Sequence, residues 1–185
     1  NKDYYFFFSK HLIFTLLALI LMILISAIKT EILIKLVVPL FLLSFASLAL
    51  VPIFGVEVKG AKRWLDLYFF RLQPIEILKP LFILMTVKVL TFKYLQISQV
   101  KYILSFALLS SVIILLIDQP DLGQSILLIG SWIATVFISG VSLLYILIFF
   151  SLFLLSIGSL LYFLPEKFGY IINRLVTFFD PSQGD

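Results

Sequence analysis

Long apolar runs separated by short polar stretches dominate the pattern of this sequence. Each run is 15 to 23 residues long, close to the ~20 residues that a helix needs to cross ~30 Å of hydrocarbon. Apolar residues occupy every side of the predicted helices, as is typical of helices that face lipid or one another. The pattern therefore predicts an all-α fold, a polytopic helical bundle with six transmembrane helices at 12–28, 32–54, 74–91, 102–117, 125–139 and 142–164.

Composition excludes most other classes of protein. Hydrophobic residues make up 62% of the 185 positions and charged residues 13%, whereas soluble domains have roughly 45–50% and about 25%. One soluble core of this size cannot bury so much apolar surface, and barrel strands would alternate apolar and polar residues. We therefore expect a single transmembrane domain, residues 1–185, that is a piece of a longer protein.

The polar residues restrict the chemistry further. There is no cysteine and only one histidine, His11, which excludes disulfides and thiolate or histidine-rich metal sites. The net charge of +4 is spread over short connections and forms no basic stripe, so no nucleic-acid partner is expected.

The longest internal connection, residues 55–73, contains basic and aromatic residues close together. Lys62 and Arg63 have the charge and hydrogen-bond donors to hold a phosphate or diphosphate, and Trp64 suits the membrane–water boundary. The structural alternative is an amphipathic segment that lies among the lipid headgroups.

The third apolar run carries charges at its start. Glu76 and Lys79 are three residues apart, on one face of a helix, and Pro80 is expected to kink that helix. The two charges form either a structural ion pair or the lining of a polar cavity. Lys79→Ala should leave Glu76 buried and unpaired and cost about 3–5 kcal/mol.

The turn at 118–123 contains two carboxylates, Asp118 and Asp121, directly before the fifth predicted helix. The structural interpretation is that the Asp121 side chain caps this helix. The functional alternative is that the two carboxylates act as a general acid and a general base.

Three segments together resemble ordered signatures of the SEDS (shape, elongation, division and sporulation) family. They are Gly-Ala-Lys-Arg-Trp-Leu-Asp at 60–66, Leu-Gln-Pro-Ile-Glu-Ile-Leu-Lys at 72–79 and Gln-Pro-Asp-Leu-Gly at 119–123. The stretches 5–12 and 174–181 are similar to the family's second span and the start of its large extracytoplasmic loop. The ending at 179–185 is most similar to the division members, with the elongation-type paralogue as the alternative.

The resemblance implies the central part, spans two to seven, of a ten-helix enzyme of the bacterial inner membrane. Such an enzyme polymerises lipid II, an undecaprenyl diphosphate-linked disaccharide-pentapeptide, into glycan strands. A class B penicillin-binding protein and other divisome components are the implied partners, and a divalent cation is a possible cofactor. A lipid II flippase, and a scaffold that holds the penicillin-binding protein, are the alternatives.

The resemblance also assigns roles to residues of this chain. The family's catalytic aspartate would lie beyond Asp185, so no catalytic residue and no metal ligand is expected here. The 55–73 loop and the 119–123 turn would lie on the outer face, although counting bases on the two sides (eight with the loop, five opposite) places the loop in the cytoplasm. The expected substrate-binding residues are Lys62, Arg63, Trp64 and Arg174. The expected cavity or structural polar residues are Asp66, Gln73, Glu76, Lys79, Gln119 and Asp121.

Overall fold

The computed structural model describes residues 2–58, 61–68, 70–92, 98–119, 121–163 and 176. Within them, six helices correspond to the six predicted spans. Most ends agree to within a few residues, but the first helix begins ten residues earlier than the apolar run, because the aromatic and polar residues before that run continue the helix. The helices are α1 Lys2–Ser26, α2 Thr30–Phe54, α3 Pro74–Leu90, α4 Ser98–Asp118, α5 Leu122–Ile138 and α6 Leu143–Phe163.

Among the described residues, three of these helices have the length and apolar composition of a membrane span. Their spanning parts are Tyr5–Ser26, Thr30–Phe54 and Gln99–Asp118. Helices α3 and α5 are also apolar, but each has 17 residues and is therefore about 26 Å long. This is slightly less than the ~30 Å thickness of the hydrocarbon layer.

The core lies where α2, α3, α4 and α5 meet. Its buried side chains come mainly from these four helices and include Leu48, Phe82, Leu116 and Trp132, and α6 adds Ile146. Helix α1 contrasts with these four, since every residue from Tyr5 to Ser26 is exposed within the described part of the chain. The all-round apolar pattern therefore has two origins, packing against neighbouring helices in α2 to α5 and an exposed apolar surface in α1.

The 55–73 connection forms a small antiparallel sheet. Strand β1 spans Val56–Val58, β2 spans Ala61–Asp66 and β3 spans Arg71–Leu72, in the order β1-β2-β3. Val56 pairs with Trp64 and Asp66 pairs with Arg71. We refer to residues 56–72 as the hairpin. It joins the end of α2 to the start of α3.

Candidate functional site

The hairpin is held against the turn between α4 and α5 through one arginine. Nε of Arg63 on β2 donates a hydrogen bond of 3.2 Å to the carbonyl oxygen of Gln119 and lies 3.7 Å from Oδ2 of Asp121. The side chains of Arg63 and Asp121 are both largely buried, so solvent screens their attraction less than at an open surface. Two of the three sequence signatures therefore meet at one end of the bundle.

Gln119 also binds the helix bundle with its side chain. Pro52 lies inside α2 and has no N–H, so the carbonyl of Leu48, four residues earlier, loses its normal helical donor. Nε2 of Gln119 donates to this oxygen at 3.2 Å. Gln119 is only 2% exposed, and a buried carbonyl without a donor would be costly. Gln119 therefore links α2 to the hairpin. Its side-chain amide donates to Leu48 of α2, and its backbone carbonyl accepts from Arg63 of the hairpin.

Asp121 precedes α5 as expected, but its predicted role as a cap is wrong. It occupies the N-cap position, yet its carboxylate makes no capping hydrogen bond. Its backbone carbonyl instead accepts hydrogen bonds from the N–H and the Oγ of Ser125. The carboxylate instead lies beside Arg63, 3.7 Å from its Nε, where the charge of the guanidinium attracts it.

The charged pair at the start of α3 forms as predicted. Nζ of Lys79 lies 2.8 Å from Oε2 of Glu76, and Nε2 of Gln124 on α5 donates to Oε1 of Glu76 at 3.0 Å. The assumption that Glu76 is buried is wrong, since its side chain is 51% exposed and that of Lys79 is 24% exposed. The cost of about 3–5 kcal/mol expected for Lys79→Ala rested on that burial, so the exposure of Glu76 favours a smaller cost.

Gln124 is a site residue that the sequence interpretation missed. The available signal was its place one residue after the 119–123 signature, on the first turn of α5. Its Oε1 is buried and accepts no hydrogen bond from the described residues. The three side chains of Glu76, Lys79 and Gln124 form a polar cluster that joins α3 to α5.

Asp66 does not belong to this cluster. It stabilises the turn between β2 and β3, where Oδ1 accepts the N–H of Tyr68 at 3.1 Å and Oδ2 lies 3.8 Å from Nε of Arg71. Its side chain is about half exposed. These contacts give Asp66 a structural role in the hairpin, one of the two roles expected for it.

The remaining predicted residues occupy separate positions. Lys62 is exposed on β2 opposite Glu57, and Trp64 is half-buried. Gln73 precedes α3, is half-buried and makes no side-chain cap, while its carbonyl accepts the N–H of Glu76 at 3.1 Å. Arg174 lies outside the described residues.

A groove of about 360 Å³ lies between α2 and α3 on their surface, below the hairpin. Apolar side chains form most of its wall, and two small serines, Ser44 and Ser47, leave the space open. Both hydroxyls donate to carbonyls of their own helix, so the surface they present to the groove is nearly apolar. The other lining residues are Leu40, Leu43, Leu72, Pro74, Ile77, Pro80 and Leu81.

The carboxylates of the site do not fit a divalent cation. Glu76 pairs with Lys79, Asp121 with Arg63 and Asp66 with Arg71. Each negative charge is thus matched by a base, and the described ranges contain no group of three or more acidic or histidine side chains that could hold a metal.

Comparison with known proteins decides the family. A family model described as "Cell cycle protein", covering FtsW, RodA and SpoVE, matches residues 1–184. The chain belongs to the FtsW/RodA/SpoVE family. This is the SEDS family that the three motifs resemble, and the chain is accordingly a multi-pass membrane protein.

Curated relatives in this family carry the name of the division member. The chain is 34% identical over 148 residues to the "Probable peptidoglycan glycosyltransferase FtsW" of Thiomicrospira cyclica, covering 77% of this chain and 36% of that protein. It is 30% identical over 185 residues to the protein of the same name from Wigglesworthia glossinidia brevipalpis, covering 99% of this chain and 48% of that one. The chain thus spans at most about half the length of these relatives.

Solved structures of family members share the fold. The Thermus thermophilus rod shape determining protein RodA aligns with a TM-score of 0.64 at 33% identity, covering 74% of this chain and 46% of RodA. A structure described as "Structural coordination of polymerization and crosslinking by a peptidoglycan synthase complex" aligns with a TM-score of 0.71 at 28% identity, covering 88% of this chain and 48% of that one. The six-helix bundle is therefore a segment of a known polytopic membrane fold.

Proposed function

We propose that this chain is the central part of a peptidoglycan glycosyltransferase of the division type, which polymerises lipid II into glycan strands. The observation that carries the proposal is the attachment of the basic hairpin to the 119–121 turn through Arg63. It brings the family's signatures to one end of the bundle, above the Glu76–Lys79 pair. The relatives' name, peptidoglycan glycosyltransferase, supports the same reaction.

In this reaction the 4-hydroxyl of a lipid II sugar attacks the anomeric carbon of the growing strand, and undecaprenyl diphosphate leaves. Departure of a diphosphate requires positive charge at the leaving group. The two adjacent bases, Lys62 and Arg63, are assigned different tasks in this proposal. Arg63 is bound to Gln119 and Asp121 and positions the hairpin, whereas Lys62 is exposed and meets the diphosphate. The general base comes from the family's loop aspartate, outside this chain.

The groove between α2 and α3 suits the prenyl chain of the substrate. Leu72 and Pro74 place one end of the groove directly below the hairpin, where the diphosphate is proposed to sit. A cavity of 150 Å³ holds the six carbons of benzene, so about 360 Å³ accommodates about 14 carbons, or some three isoprene units. The rest of the chain would extend into the lipid.

The alternative function, lipid II transport, is less well supported. Transporters bind their substrate near the middle of the bilayer, at breaks in their helices. Here Glu76 and Lys79 are the third and sixth residues of α3, within about 8 Å of its start. Charges near the end of a helix fit a reaction at the membrane surface better than passage through its centre.

We propose that the enzyme acts in the bacterial inner membrane, with the hairpin outside, together with a class B penicillin-binding protein and other divisome components. The matched synthase complex supports a partner of this kind. The family resemblance supports the side of the membrane, because lipid II is polymerised outside the cell.

Purified full-length protein, incubated with its penicillin-binding partner and labelled lipid II, tests the proposal. Glycan strands should form, and Lys62→Gln should raise KM or lower kcat by about 10-fold or more, as expected for a lost charge-assisted hydrogen bond. Lys35→Gln, at an exposed lysine near the start of α2, is the matched control and should have no effect. Transbilayer movement of lipid II without any polymer would favour the transporter instead.

A further inference from the structure

The turn between β2 and β3 contains a strained tyrosine. Tyr68 has φ of 69° and is the one residue other than glycine with positive φ in the described ranges. This conformation normally selects glycine or asparagine, and other residues keep it only where their surroundings enforce it. Asp66 accepts the N–H of Tyr68 at 3.1 Å, and the N–H of Leu67 donates to the carbonyl of Phe70 at 3.1 Å.

The strained turn presents large apolar side chains outward. Tyr68 is 92% exposed, and Leu67 and Phe70 are about half exposed. We call these three residues the hairpin tip. A turn surrounded by water would favour small polar residues here, so the tip has the composition of a surface that contacts something apolar.

The lengths of the neighbouring elements place the tip near the membrane. Helix α3, about 26 Å long, is shorter than the hydrocarbon layer, so its first residue, Pro74, lies at or just inside the edge of that layer. Phe70 precedes Pro74 by four residues and is thus at most about 14 Å from it. The headgroup layer on each side of a bilayer is about 5–7 Å thick, which puts the tip within reach of it.

We propose that the hairpin tip inserts into the boundary between lipid headgroups and acyl chains and anchors the hairpin to the membrane surface. Tyrosine is enriched at this boundary, because its ring is apolar and its hydroxyl is polar. The exposed guanidinium of Arg71 lies beside the tip and pairs with Asp66, so it is suited to the headgroup level as well. The anchor fixes the height of Lys62 above the bilayer. The proposal depends only on the membrane location of the chain and not on the reaction.

Site-directed spin labelling tests this insertion directly. The chain contains no cysteine, so Tyr68→Cys, Leu42→Cys and Glu57→Cys each introduce one labelling site into this region of the full-length protein, from which any other cysteine is removed. In vesicles of phosphatidylethanolamine and phosphatidylglycerol, collisions with oxygen report lipid and collisions with a water-soluble nickel chelate report water. Leu42, exposed in the middle of α2, and Glu57, exposed on β1, are the lipid and water references.

The label at position 68 should collide more often with oxygen than with the nickel chelate, as the label at position 42 does. The label at position 57 should show the opposite preference. A pattern at position 68 equal to that of Glu57 would overturn the proposal. Protection of position 68 from both reagents only after the penicillin-binding protein is added would also overturn it, in favour of a protein contact.

A second pair of variants separates membrane insertion from the strain of the turn. Tyr68→Gly keeps the turn, since glycine adopts positive φ without cost, but removes the ring, whereas Tyr68→Trp keeps an aromatic ring. A label at Phe70→Cys should lose several-fold of its oxygen-to-nickel collision ratio in the Tyr68→Gly background and retain it with Tyr68→Trp. An unchanged ratio in both backgrounds would show that Tyr68 is not the anchor.

Discussion

A proline inside a helix of this bundle creates a structural need for a polar side chain from another segment. A proline inside a transmembrane helix frees a carbonyl, and lipid offers that carbonyl no donor. Pro52 frees the carbonyl of Leu48, and the amide of Gln119 takes the place of the missing N–H. The glutamine of the 119–123 signature therefore has a definite structural task, apart from any contact with substrate.

This pairing predicts a coupling between two substitutions. Gln119→Leu should destabilise the protein by about 1–3 kcal/mol, because it leaves a buried carbonyl unsatisfied. In a Pro52→Ala background the restored N–H bonds this carbonyl, so the same substitution should cost at least about 1 kcal/mol less. Denaturation of the four proteins of this cycle in detergent measures the difference. Equal costs in the two backgrounds would contradict the pairing.

The Glu76–Lys79 pair is predicted to affect activity more than stability. Lys79→Ala should lower stability by only about 0–1 kcal/mol, because Glu76 is half exposed and keeps its hydrogen bond from Gln124. Thermal unfolding measures this effect, and lipid II polymerisation by the same sample should fall. Full activity of the double variant Glu76→Gln/Lys79→Gln would show that the charges are not required.

At the scale of elements, α3 connects the separate features of the site. It follows the hairpin directly, carries the Glu76–Lys79 pair towards α5 and forms one wall of the groove on its α2 side. The opposite wall, on α2, is open because Ser44 and Ser47 are small. Helix α3 therefore presents a charged surface, at Glu76 and Lys79, and an apolar surface, at the groove. A lipid-linked substrate has a polar and an apolar part that would suit these two surfaces.

Filling the groove should weaken substrate binding selectively. Ser47→Phe places a ring in the groove and is expected to raise the KM for lipid II with a full-length prenyl chain by about 10-fold, roughly the effect of losing a buried apolar contact. A substrate with a prenyl chain too short to reach the groove should be unaffected. Leu42→Phe, at an exposed position on the same helix, is the control. An identical KM for Ser47→Phe and the unsubstituted protein would exclude the groove as the prenyl site.

At the scale of the whole molecule, the hairpin and the 119–121 turn define one end of the bundle. The end of α3 and the start of α2 define the other, where Nζ of Lys88 donates to the carbonyl of Ile34 at 3.1 Å. Counting bases places the hairpin end in the cytoplasm, whereas the family resemblance places it outside the cell. The proposed function requires the hairpin to be outside.

Labelling of intact cells distinguishes the two orientations. Single cysteines at Glu57, on the hairpin, and at Thr91, directly after α3, are both exposed. A membrane-impermeant maleimide should label Glu57→Cys in intact cells and Thr91→Cys only after the cells are opened. The reverse pattern would favour the orientation given by the base count and would contradict synthesis of glycan by this end of the protein.

The sequence by itself determined the helices, because a membrane helix satisfies its backbone hydrogen bonds within its own segment, and apolar length is a local property. It also determined the Glu76–Lys79 pair, which one helical turn brings together. Only the tertiary structure decided the contact of Arg63 with Gln119 and that of Gln124 with Glu76, 56 and 48 residues apart along the chain. It also decided that Asp121 pairs with a base and does not cap α5, because the nearest strong partner of a buried group depends on which segments pack together.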